Sequence, residues 1–235
     1  MPPILLFFET ATEICSVSLS KGDEIVASVC SHKGNSHTEN LFPFIEQVLA
    51  KGKCKISEIE GVVLSVGPGS YTGLRIGASA AKGICYALNI PLIGISTLQS
   101  IVFGAMSQQK KEQNVLYCPM IDARRMEVFT ALFDKNGEAV TEVESKIMDE
   151  YAFASELENH VIYFCGNGML KCRPILQHPN ARFTDAPLNS LNMLLPALVK
   201  YKNRQFEDIA YFEPFYLKEY IAKKTAIKGL VSRSL

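Results

Sequence analysis

The hydrophobic positions of the first part of the chain change period along the sequence, and this change predicts strands followed by a helix. Residues 4–8 form a short apolar run, and residues 15–20 and 24–31 alternate between apolar and polar positions. Tight connections join these three segments, a pattern typical of an antiparallel meander. From residue 37 to 50 the apolar positions recur at three- and four-residue spacing instead, which predicts an amphipathic helix.

The second predicted strand and the helix carry further local signals. In the strand, Val17 and Leu19 lie on one face and three serines lie on the other. Before the helix, Ser36 and Glu39 have the spacing of a capping box, in which two side chains satisfy free backbone N–H groups. Pro43 falls inside the helical pattern, so we expect a kink there or a later effective start of the helix.

The most distinctive stretch begins with an apolar run over 62–66, which suits a strand buried on both faces. A glycine-rich turn over 67–73 follows, then a predicted helix over 74–88 and a strand over 91–95. Such a crossover makes the two strands parallel. Residues 1 to about 105 therefore have the order βββαβαβ of a ribonuclease-H-like, or actin-type ATPase, half-domain.

The glycine-rich turn excludes two common phosphate-binding motifs. A Walker A loop ends in Gly-Lys-Ser/Thr, whereas this turn ends in Gly73-Leu74-Arg75. A dinucleotide-binding loop spaces its glycines G-x-G-x-x-G and needs an acidic residue about 20 positions later for the ribose. Here the spacing is G-x-G-x-x-x-G, and no Asp or Glu occurs between residues 61 and 111. The stretch therefore offers no carboxylate for metal binding, general base catalysis or ribose recognition.

Small residues form a stripe along the predicted helix. Gly73, Gly77 and Ala81 recur every four positions, and Gly83 lies close by. Because glycine costs about 1 kcal/mol relative to alanine inside a helix, we expect a compensating close contact. Two interpretations are open: the helix packs closely on its own sheet, or a second helix from another protein chain approaches it.

The second half of the chain is less regular. A strand is predicted over 115–121 and a returning strand over 127–134, joined by Asp122-Ala123-Arg124-Arg125. One interpretation of this connection is a solvated turn with a local ion pair, worth under about 1 kcal/mol. The other places Arg124 and Arg125 at the mouth between two subdomains, where they could meet phosphate or the carboxylates of a partner.

Four further elements are predicted after this hairpin. They are a helix over 150–159, a strand over 161–165 followed by the glycine turn Gly166-Asn167-Gly168, a short strand over 181–184, and a helix over 191–201 capped by Ser190.

Composition indicates an ordinary soluble globular protein. The 235 residues are 48% hydrophobic and 20% charged, and the formal net charge is zero. Nothing global therefore argues for a nucleic-acid binder, and no apolar run approaches the roughly 18 residues that span a bilayer. The seven cysteines are odd in number and include no C-x-x-C pair. We expect a reduced, cytoplasmic protein without a zinc site, a membrane segment or a cleaved leader.

Five short motifs are spread over nearly the whole chain. They are Glu9-Thr10-Ala11-Thr12, Ser36-His37-Thr38-Glu39, GPGSYTGLRIG from Gly67 to Gly77 with Ala81-Lys82-Gly83, Asp122-Ala123-Arg124-Arg125-Met126-Glu127-Val128, and Pro214-Phe215-Tyr216-Leu217. Together, and in this order, they resemble the TsaB family, the bacterial tRNA threonylcarbamoyladenosine biosynthesis subunit. GPGSYTGLRIG is the most specific of them.

The resemblance implies an α/β fold of two actin-like ATPase (ribonuclease-H-like) subdomains with mixed sheets flanked by helices. We expect an N-terminal subdomain over 1–105, which carries the partner-binding helices. A degenerate C-terminal subdomain is expected over 106–221, with a last segment that is free to pack back on the first subdomain. A basic tail over 222–235 is expected to be mobile.

The resemblance further implies a non-catalytic subunit without a cofactor or metal of its own. The family pairs with its larger paralogue TsaD, which transfers a threonylcarbamoyl group to adenosine 37 of tRNA, and the ATPase TsaE joins the pair. Alone, the family forms homodimers through its first two helices, here 37–50 and 74–88. Transfer RNA is expected to reach this chain only through the complex.

Two groups of site residues follow from the same resemblance, and no catalytic residue does. The partner interface comprises His37, Leu41, Ile45, Gly73, Arg75, Ile76, Gly77, Ala80, Ala81 and Ile84. A vestigial nucleotide cleft comprises Thr10, Thr12, Gly67, Gly69 and Ser70. Family members usually carry Asp-Thr-Ser where this chain has Glu9-Thr10-Ala11, and alanine offers no hydroxyl group to a phosphate.

An enzyme is the alternative from a different functional class. It would be a nucleotide-dependent phosphotransferase or hydrolase that uses the cleft between the subdomains, with Glu9, Thr10 and Asp122 as its polar groups. A third class, a direct tRNA-binding module, needs a basic surface, which the overall neutrality of the chain does not favour.

Overall fold

A computed structural model of the protein describes residues 2–31, 37–109 and 113–218, which form two five-stranded sheets flanked by helices. The first part of the chain contains, in order, β1 (Ile4–Glu9), β2 (Cys15–Lys21), β3 (Glu24–Ser31), α1 (His37–Lys51), β4 (Gly61–Ser65), α2 (Tyr71–Leu88), β5 (Leu92–Ile95) and α3 (Thr97–Met106). The second part contains β6 (Val115–Asp122), β7 (Glu127–Thr130), β8 (Glu144–Ile147), α4 (Ala154–Asn159), β9 (Val161–Cys165), α5 (Met169–Cys172), β10 (Ala181–Thr184) and α6 (Leu194–Lys202). Short 3₁₀ turns over Ile56–Glu58 and Ser190–Met193 precede β4 and α6.

Both sheets have the same strand order and the same strand directions. In the first sheet the order is β3-β2-β1-β4-β5; β2 is antiparallel to β1 and β3, and β4 is parallel to β1 and β5. In the second sheet the order β8-β7-β6-β9-β10 repeats this arrangement around β6. The predicted α/β fold of two subdomains with mixed sheets is therefore confirmed.

Strand β1 is buried on both faces, which explains its uninterrupted apolar sequence. Leu6 and Phe8 belong to a core with the buried residues of α1 and α2. Leu5 and Phe7 point to the opposite face and pack in a second core with residues of the 190–202 segment. The first sheet is therefore covered by α1 and α2 on one face and by a late segment of the chain on the other.

The serine face of β2 is buried as well. The hydroxyl oxygen of Ser190 lies 2.6 Å from that of Ser18, and the backbone N–H of Ser190 donates to Ser16 Oγ at 2.9 Å. The 3₁₀ turn at Ser190–Met193 thus provides hydrogen bonds to the serine hydroxyl groups of β2, which lie on the face away from Val17 and Leu19. Alternation in the sequence does not distinguish a polar face covered in this way from a solvated one.

The two sheets exchange covering elements. Helix α3 precedes the second sheet in sequence and packs on it through Leu98 and Ile101. The 190–202 segment follows the second sheet and packs on the first. The chain then crosses the first sheet once more, where the backbone N–H of Phe215 donates to the carbonyl of Val66 at 2.7 Å. We call β1–β5 with α1 and α2 the first lobe, and β6–β10 with α3, α4 and α5 the second lobe.

Several predicted elements need correction. Helix α2 begins at Tyr71 rather than at residue 74, because the Ser70 hydroxyl accepts a hydrogen bond from the N–H of Gly73 at 3.3 Å and caps the helix. The cap at the start of the last helical segment is Asn189 rather than Ser190, and α6 follows a 3₁₀ turn. Helix α4 is shorter than predicted, and α3, α5 and β8 were not predicted.

The remaining expectations concern Pro43 in α1, two segments outside the described residues, and membrane-spanning helices. Helix α1 runs without interruption from His37 to Lys51 and contains Pro43. Ser36 of the predicted capping box and the predicted basic tail 222–235 lie outside the described residues. Among the helices that are described, none has the length and apolar character needed to cross a membrane.

The small-residue stripe of α2 faces a turn of its own lobe. A Cβ atom at position 73 would lie 2.0 Å from the carbonyl oxygen of Thr10, and one at position 77 would lie 2.4 Å from Thr10 Oγ1. Ala81 is fully buried in the core beneath the helix. The interpretation that these residues leave room for another chain is therefore wrong, and close packing on their own lobe explains them. Gly83 differs, since a Cβ there would have no neighbour within 4 Å.

Alanine substitutions at positions 73 and 83 should have opposite effects on stability. Gly73→Ala forces α2 away from a backbone carbonyl, and overpacking of this kind lowers the free energy of unfolding by about 1–3 kcal/mol. Gly83→Ala replaces a helix-interior glycine in open space and should raise it by up to about 1 kcal/mol. Chemical denaturation of the two variants measures the difference, and equal effects at both positions would contradict the packing described here.

Candidate functional site

A cleft of about 710 Å³ opens between the two lobes, where β1 and β6 end. Its first wall consists of the turn after β1 and the first residues of α1 and α2. Its second wall consists of the β6–β7 turn, Asn167 and residues 216–218. Asn167 Nδ2 donates across the cleft to Glu13 Oε2 at 3.2 Å. Because α/β sheets bind ligands beyond the carboxyl ends of their strands, this cleft is the candidate functional site.

Glu9 ends β1 behind the first wall and is fully buried. Its Oε1 atom accepts hydrogen bonds from the N–H of Ala11 and from the Ser65 hydroxyl, both at 2.7 Å. Its Oε2 atom has no hydrogen-bond partner among the described residues. Burial raises the pKa of Glu9 from the ordinary value of 4.5 to about 7, although the hydrogen bonds act to lower it. The carboxyl group therefore ties the ends of β1 and β4 together instead of facing a ligand.

Backbone groups around the first wall already have partners within the chain. The N–H of Ala11 is bound by Glu9, and the carbonyl of Ala11 accepts a hydrogen bond from the N–H of Ser70 at 2.6 Å. The N–H of Gly67 donates to Thr97 Oγ1, at the start of α3, at 3.1 Å. A Cβ atom at position 69 would lie 2.3 Å from the Ala11 carbonyl oxygen. The glycine turn thus packs closely on the turn after β1.

The residues predicted for a vestigial nucleotide cleft are only partly brought together. Those that line the cleft are Thr12, Gly69 and Ser70. Thr10 is 2% exposed and lies under α2. Gly67 has a φ of +115° and is covered by the C-terminal segment, since a Cβ there would lie 2.4 Å from the carbonyl oxygen of Phe215. These two positions hold the fold together behind the wall.

His37 begins α1 and fixes it to the turn after β1. Its Nε2 atom lies 2.7 Å from the carbonyl oxygen of Thr12, and because a carbonyl only accepts, Nε2 carries the proton. Its Nδ1 atom has no hydrogen-bond partner within the described ranges. No group of three or more His, Cys, Asp and Glu side chains that could hold a metal occurs in this part of the chain, and its seven cysteines form no disulfide.

Two acid–lysine pairs organise the second wall. Lys171 of α5 donates to the Asp122 carboxylate and, at 2.7 Å, to the carbonyl of Glu127. Lys218 donates to the Glu127 carboxylate, which also accepts a hydrogen bond from Ser145 at 2.7 Å. Burial acts to raise the pKa of Asp122, but the bond from Lys171 and the turn backbone lower it overall. Hydrogen bonds from Lys218 and then Ser145 lower the pKa of Glu127. The sequence did not reveal these lysines, because each lies far from its acid along the chain.

The β6–β7 turn carries two arginines in an uncommon backbone conformation. Arg124 has a φ of +71° and Arg125 a φ of +49°. Both side chains are exposed, and Arg124 lines the cleft. Neither guanidinium group hydrogen-bonds or forms an ion pair with another residue that the structure describes. The local ion pair expected within this turn is therefore replaced by the pair between Asp122 and Lys171.

Most residues predicted for the partner interface are core residues. Those buried within the chain are His37, Leu41, Ile45, Gly73, Gly77, Ala80 and Ala81, while Ile76 and Ile84 are half-buried and Arg75 is exposed. The apolar stripe of an amphipathic helix covers its own sheet, and this is the physical reason for the correction. The outer faces of α1 and α2 instead expose Phe42 and Tyr86, at 56% and 83%. Both aromatic residues lie outside the apolar stripes of their helices, so their exposure could have been predicted from the sequence.

The chain is similar to proteins named for one tRNA modification. Residues 25–233 match the family described as "TsaD: tRNA N6-adenosine threonylcarbamoyltransferase". A tRNA threonylcarbamoyladenosine biosynthesis protein TsaB from Haemophilus influenzae is 27% identical over 234 residues, covering 94% of this chain and 95% of the relative. The protein of the same name from Escherichia coli is 34% identical over 137 residues, covering 57% of each chain. The structure of YeaZ from Pseudomonas aeruginosa shares the fold, with a TM-score of 0.79 at 22% identity over 92% of this chain and 100% of that chain.

The buried carboxyl group of Glu9 should make stability depend on pH. Its pKa of about 7 in the folded state exceeds the ordinary value of 4.5. The folded protein thus keeps a proton that the unfolded chain releases, so the contribution is fully present below pH 4.5 and is lost as the pH rises through 7. Glu9→Gln keeps the shape but cannot ionise. Relative to the unmodified protein, its free energy of unfolding should rise by about 2–3 kcal/mol between pH 5 and pH 8.

Denaturant unfolding at the two pH values measures this change. Asp134→Asn is the control without a pH trend in this range. Although burial acts to raise the pKa of Asp134, hydrogen bonds from the backbone N–H groups of Glu138 and Asn136 lower it overall, so Asp134 is ionised in the folded and the unfolded chain at both pH values and its substitution should have the same effect at each. A Glu9→Gln variant whose stability difference from the unmodified protein is the same at both pH values would show that Glu9 is ionised in the folded state.

Proposed function

The chain belongs to the TsaD family of tRNA N6-adenosine threonylcarbamoyltransferases and, within it, to the TsaB family, and from this premise we propose that it is the non-catalytic subunit of a threonylcarbamoyl-transfer complex. Its part in tRNA threonylcarbamoyladenosine biosynthesis follows from the family. In the proposed complex it dimerises with a TsaD-type catalytic paralogue that modifies adenosine 37 of tRNA, and a TsaE-type ATPase joins the pair. The complex acts in the cytoplasm, and the chain forms a homodimer when its partner is absent.

The observation that carries the non-catalytic role is the use of the first cleft wall by the chain's own groups. In actin-type ATPases the turn after the first strand contacts phosphate. Here the Glu9 carboxyl group accepts a hydrogen bond from the N–H of Ala11. Gly73 of α2 packs on the carbonyl oxygen of Thr10, and the N–H of Ser70 donates to the carbonyl oxygen of Ala11. Carbonyl oxygens carry partial negative charge and repel a phosphate. This arrangement supports a structural role for the wall in place of phosphoryl chemistry.

A surface on the outer faces of α1 and α2 supports the proposed pairing. Phe42 and Tyr86 are largely exposed, and large aromatic side chains often anchor protein interfaces. On α2, the spacing of Arg75, Gly83 and Tyr86 places them on one face of the helix. Gly83 leaves open space in which a partner's backbone can approach. We therefore define the partner surface as Phe42, Arg75, Gly83 and Tyr86, in place of the buried stripe.

The enzyme alternative has less support from the geometry. It needs Glu9, Thr10 and Asp122 to meet around a substrate, yet the first two are 0% and 2% exposed behind the first wall. Asp122 lies on the opposite wall and is bound to Lys171. Isothermal titration of the isolated protein with ATP and Mg²⁺ separates the two functions. Tight binding with turnover by the chain alone would favour the enzyme.

Bulk and charge on the outer face of α2 should break the complex without unfolding the subunit. Gly83→Arg places a long charged side chain in open space, so we expect a folded monomer whose affinity for the TsaD-type partner falls at least about tenfold. Tyr86→Ala removes the most exposed aromatic residue of the surface and should act in the same direction. Light scattering on mixtures with the cognate TsaD-type subunit, together with a measured Kd, tests both variants.

Val199→Arg is the matched control, because Val199 is 59% exposed on α6, across the first sheet from α1 and α2, and receives the same charge outside the partner surface. Unchanged affinity of both α2 variants would contradict the surface. A failure of the unmodified chain to bind the TsaD-type subunit at all would contradict the proposed function.

A further inference from the structure

We infer that Arg124 and Arg125 bind carboxylate side chains of the partner subunit, so that the partner contacts both lobes at the mouth of the cleft. This inference rests on the proposed function, since it adds a second region to the same interface. It concerns the β6–β7 turn, which the proposed pairing through α1 and α2 does not include.

The charge balance around the turn leaves both guanidinium groups without a bonded acid, although the charge of Arg124 also acts on Asp122 and helps to lower its pKa. The neighbouring acids are already engaged, Asp122 by Lys171 and Glu127 by Lys218. Within the described ranges, neither guanidinium group hydrogen-bonds or forms an ion pair with another side chain. Two exposed positive charges in this state attract anions, and the planar guanidinium group fits a carboxylate through two parallel hydrogen bonds.

The backbone holds both arginines in a conformation that glycine and asparagine adopt more readily, because both φ angles are positive. The surroundings enforce it. The N–H of Arg124 donates to Asp122 at 2.8 Å, and the carbonyl of Arg124 accepts from the N–H of Glu127 at 3.1 Å. The N–H of Asp122 donates to Asn167 Oδ1 at 3.0 Å. Arginine adopts a positive φ only rarely, yet hydrogen bonds hold the turn in this conformation. Backbone strain of this kind points to a function of the arginine side chains.

The turn lies beside the proposed partner surface. Arg124 lines the same cleft as Thr38 and Thr72, which belong to the first turns of α1 and α2. The same two helices carry Phe42 and Tyr86 on their outer faces. Tyr86 lies 14 positions after Thr72, about 21 Å along α2, so a partner reaches the mouth of the cleft if it covers both helices along their length.

The charges of the cleft favour a protein partner over a phosphate-rich ligand. Glu13 and Asp122 also line the cleft and repel polyanions, and the formal net charge of the chain is zero. Mixed charges at the edge of a groove are typical of the polar rim of a protein interface. The occupant that fits is thus a segment of the TsaD-type partner that brings single carboxylates to the two arginines, not a run of acidic residues.

The double variant Arg124→Gly and Arg125→Gly tests the inference. Because glycine accepts a positive φ, we expect its thermal midpoint to equal or exceed that of the unmodified protein. Its affinity for the cognate TsaD-type subunit should fall by about 10- to 100-fold at low salt, and its Kd should depend less on salt. A purely structural role of the arginines predicts the reverse, namely a lower midpoint and the same affinity. Arg124→Gln and Arg125→Gln provide a second test that keeps both Cβ atoms.

Arg204→Gly is the matched control, because Arg204 is also exposed with a positive φ of +54° and lies outside the cleft. It should keep full affinity for the partner. If the unmodified chain binds the TsaD-type subunit and the double variant binds equally well, the inference is wrong while the proposed function stands. If the unmodified chain does not bind, the proposed function itself fails. Loss of tRNA binding by the assembled complex, with subunit affinity unchanged, would assign the arginines to RNA and overturn the inference.

Discussion

The close approach of α2 to the backbone of Thr10 and Ala11 is the contact on which the first lobe depends. It demands residues without side chains at positions 69, 73 and 77, since an added Cβ would lie between 2.0 and 2.4 Å from atoms of this turn. It also brings the positive end of a long helix dipole onto two carbonyl oxygens, which are favourable neighbours for it. The Glu9 carboxyl group completes the contact from behind by binding the N–H of Ala11 and the Ser65 hydroxyl.

This contact has a direct consequence for chemistry at the cleft. In a phosphate-binding site the helix terminus and the turn amides face the ligand. Here the start of α2 lies against the carbonyl oxygens of Thr10 and Ala11, and the N–H of Ala11 donates to Glu9, so these groups stabilise the protein instead. Burial raises the pKa of Glu9 to about 7, because the buried carboxyl group is more stable in its protonated form. The actin-like architecture is thus retained while the polar groups of one cleft wall serve the fold.

The sequence predicted the parts of this structure whose signals are local. The periods of β1, β2, β3 and α1, and the crossover around α2, are all readable within windows of about 20 residues. Strand β8 was missed because its four residues show little burial, and α3 because it is apolar on most sides. The role of Glu9 depends on Ser65, 56 positions away, and that of Asp122 on Lys171, 49 positions away. Contacts of this kind are fixed by the packing of distant elements, and no pattern along one segment encodes them. The small-residue stripe of α2 was visible in the sequence, but the sequence did not show which element the stripe packs against.

What the cleft leaves exposed indicates how the proposed interface is built. With the N–H groups of Ala11 and Ser70 bound within the chain, the groups at the mouth include charged side chains such as Glu13 and Arg124. Charged groups that stay hydrated until binding are typical of an interface rim, whereas exposed aromatic residues such as Phe42 and Tyr86 are typical of its centre. In the proposed interface the helices supply the apolar part and the cleft mouth supplies the polar part. A partner that covers this surface would be held to both lobes, which the hydrogen bond between Asn167 and Glu13 links across the cleft in the free chain.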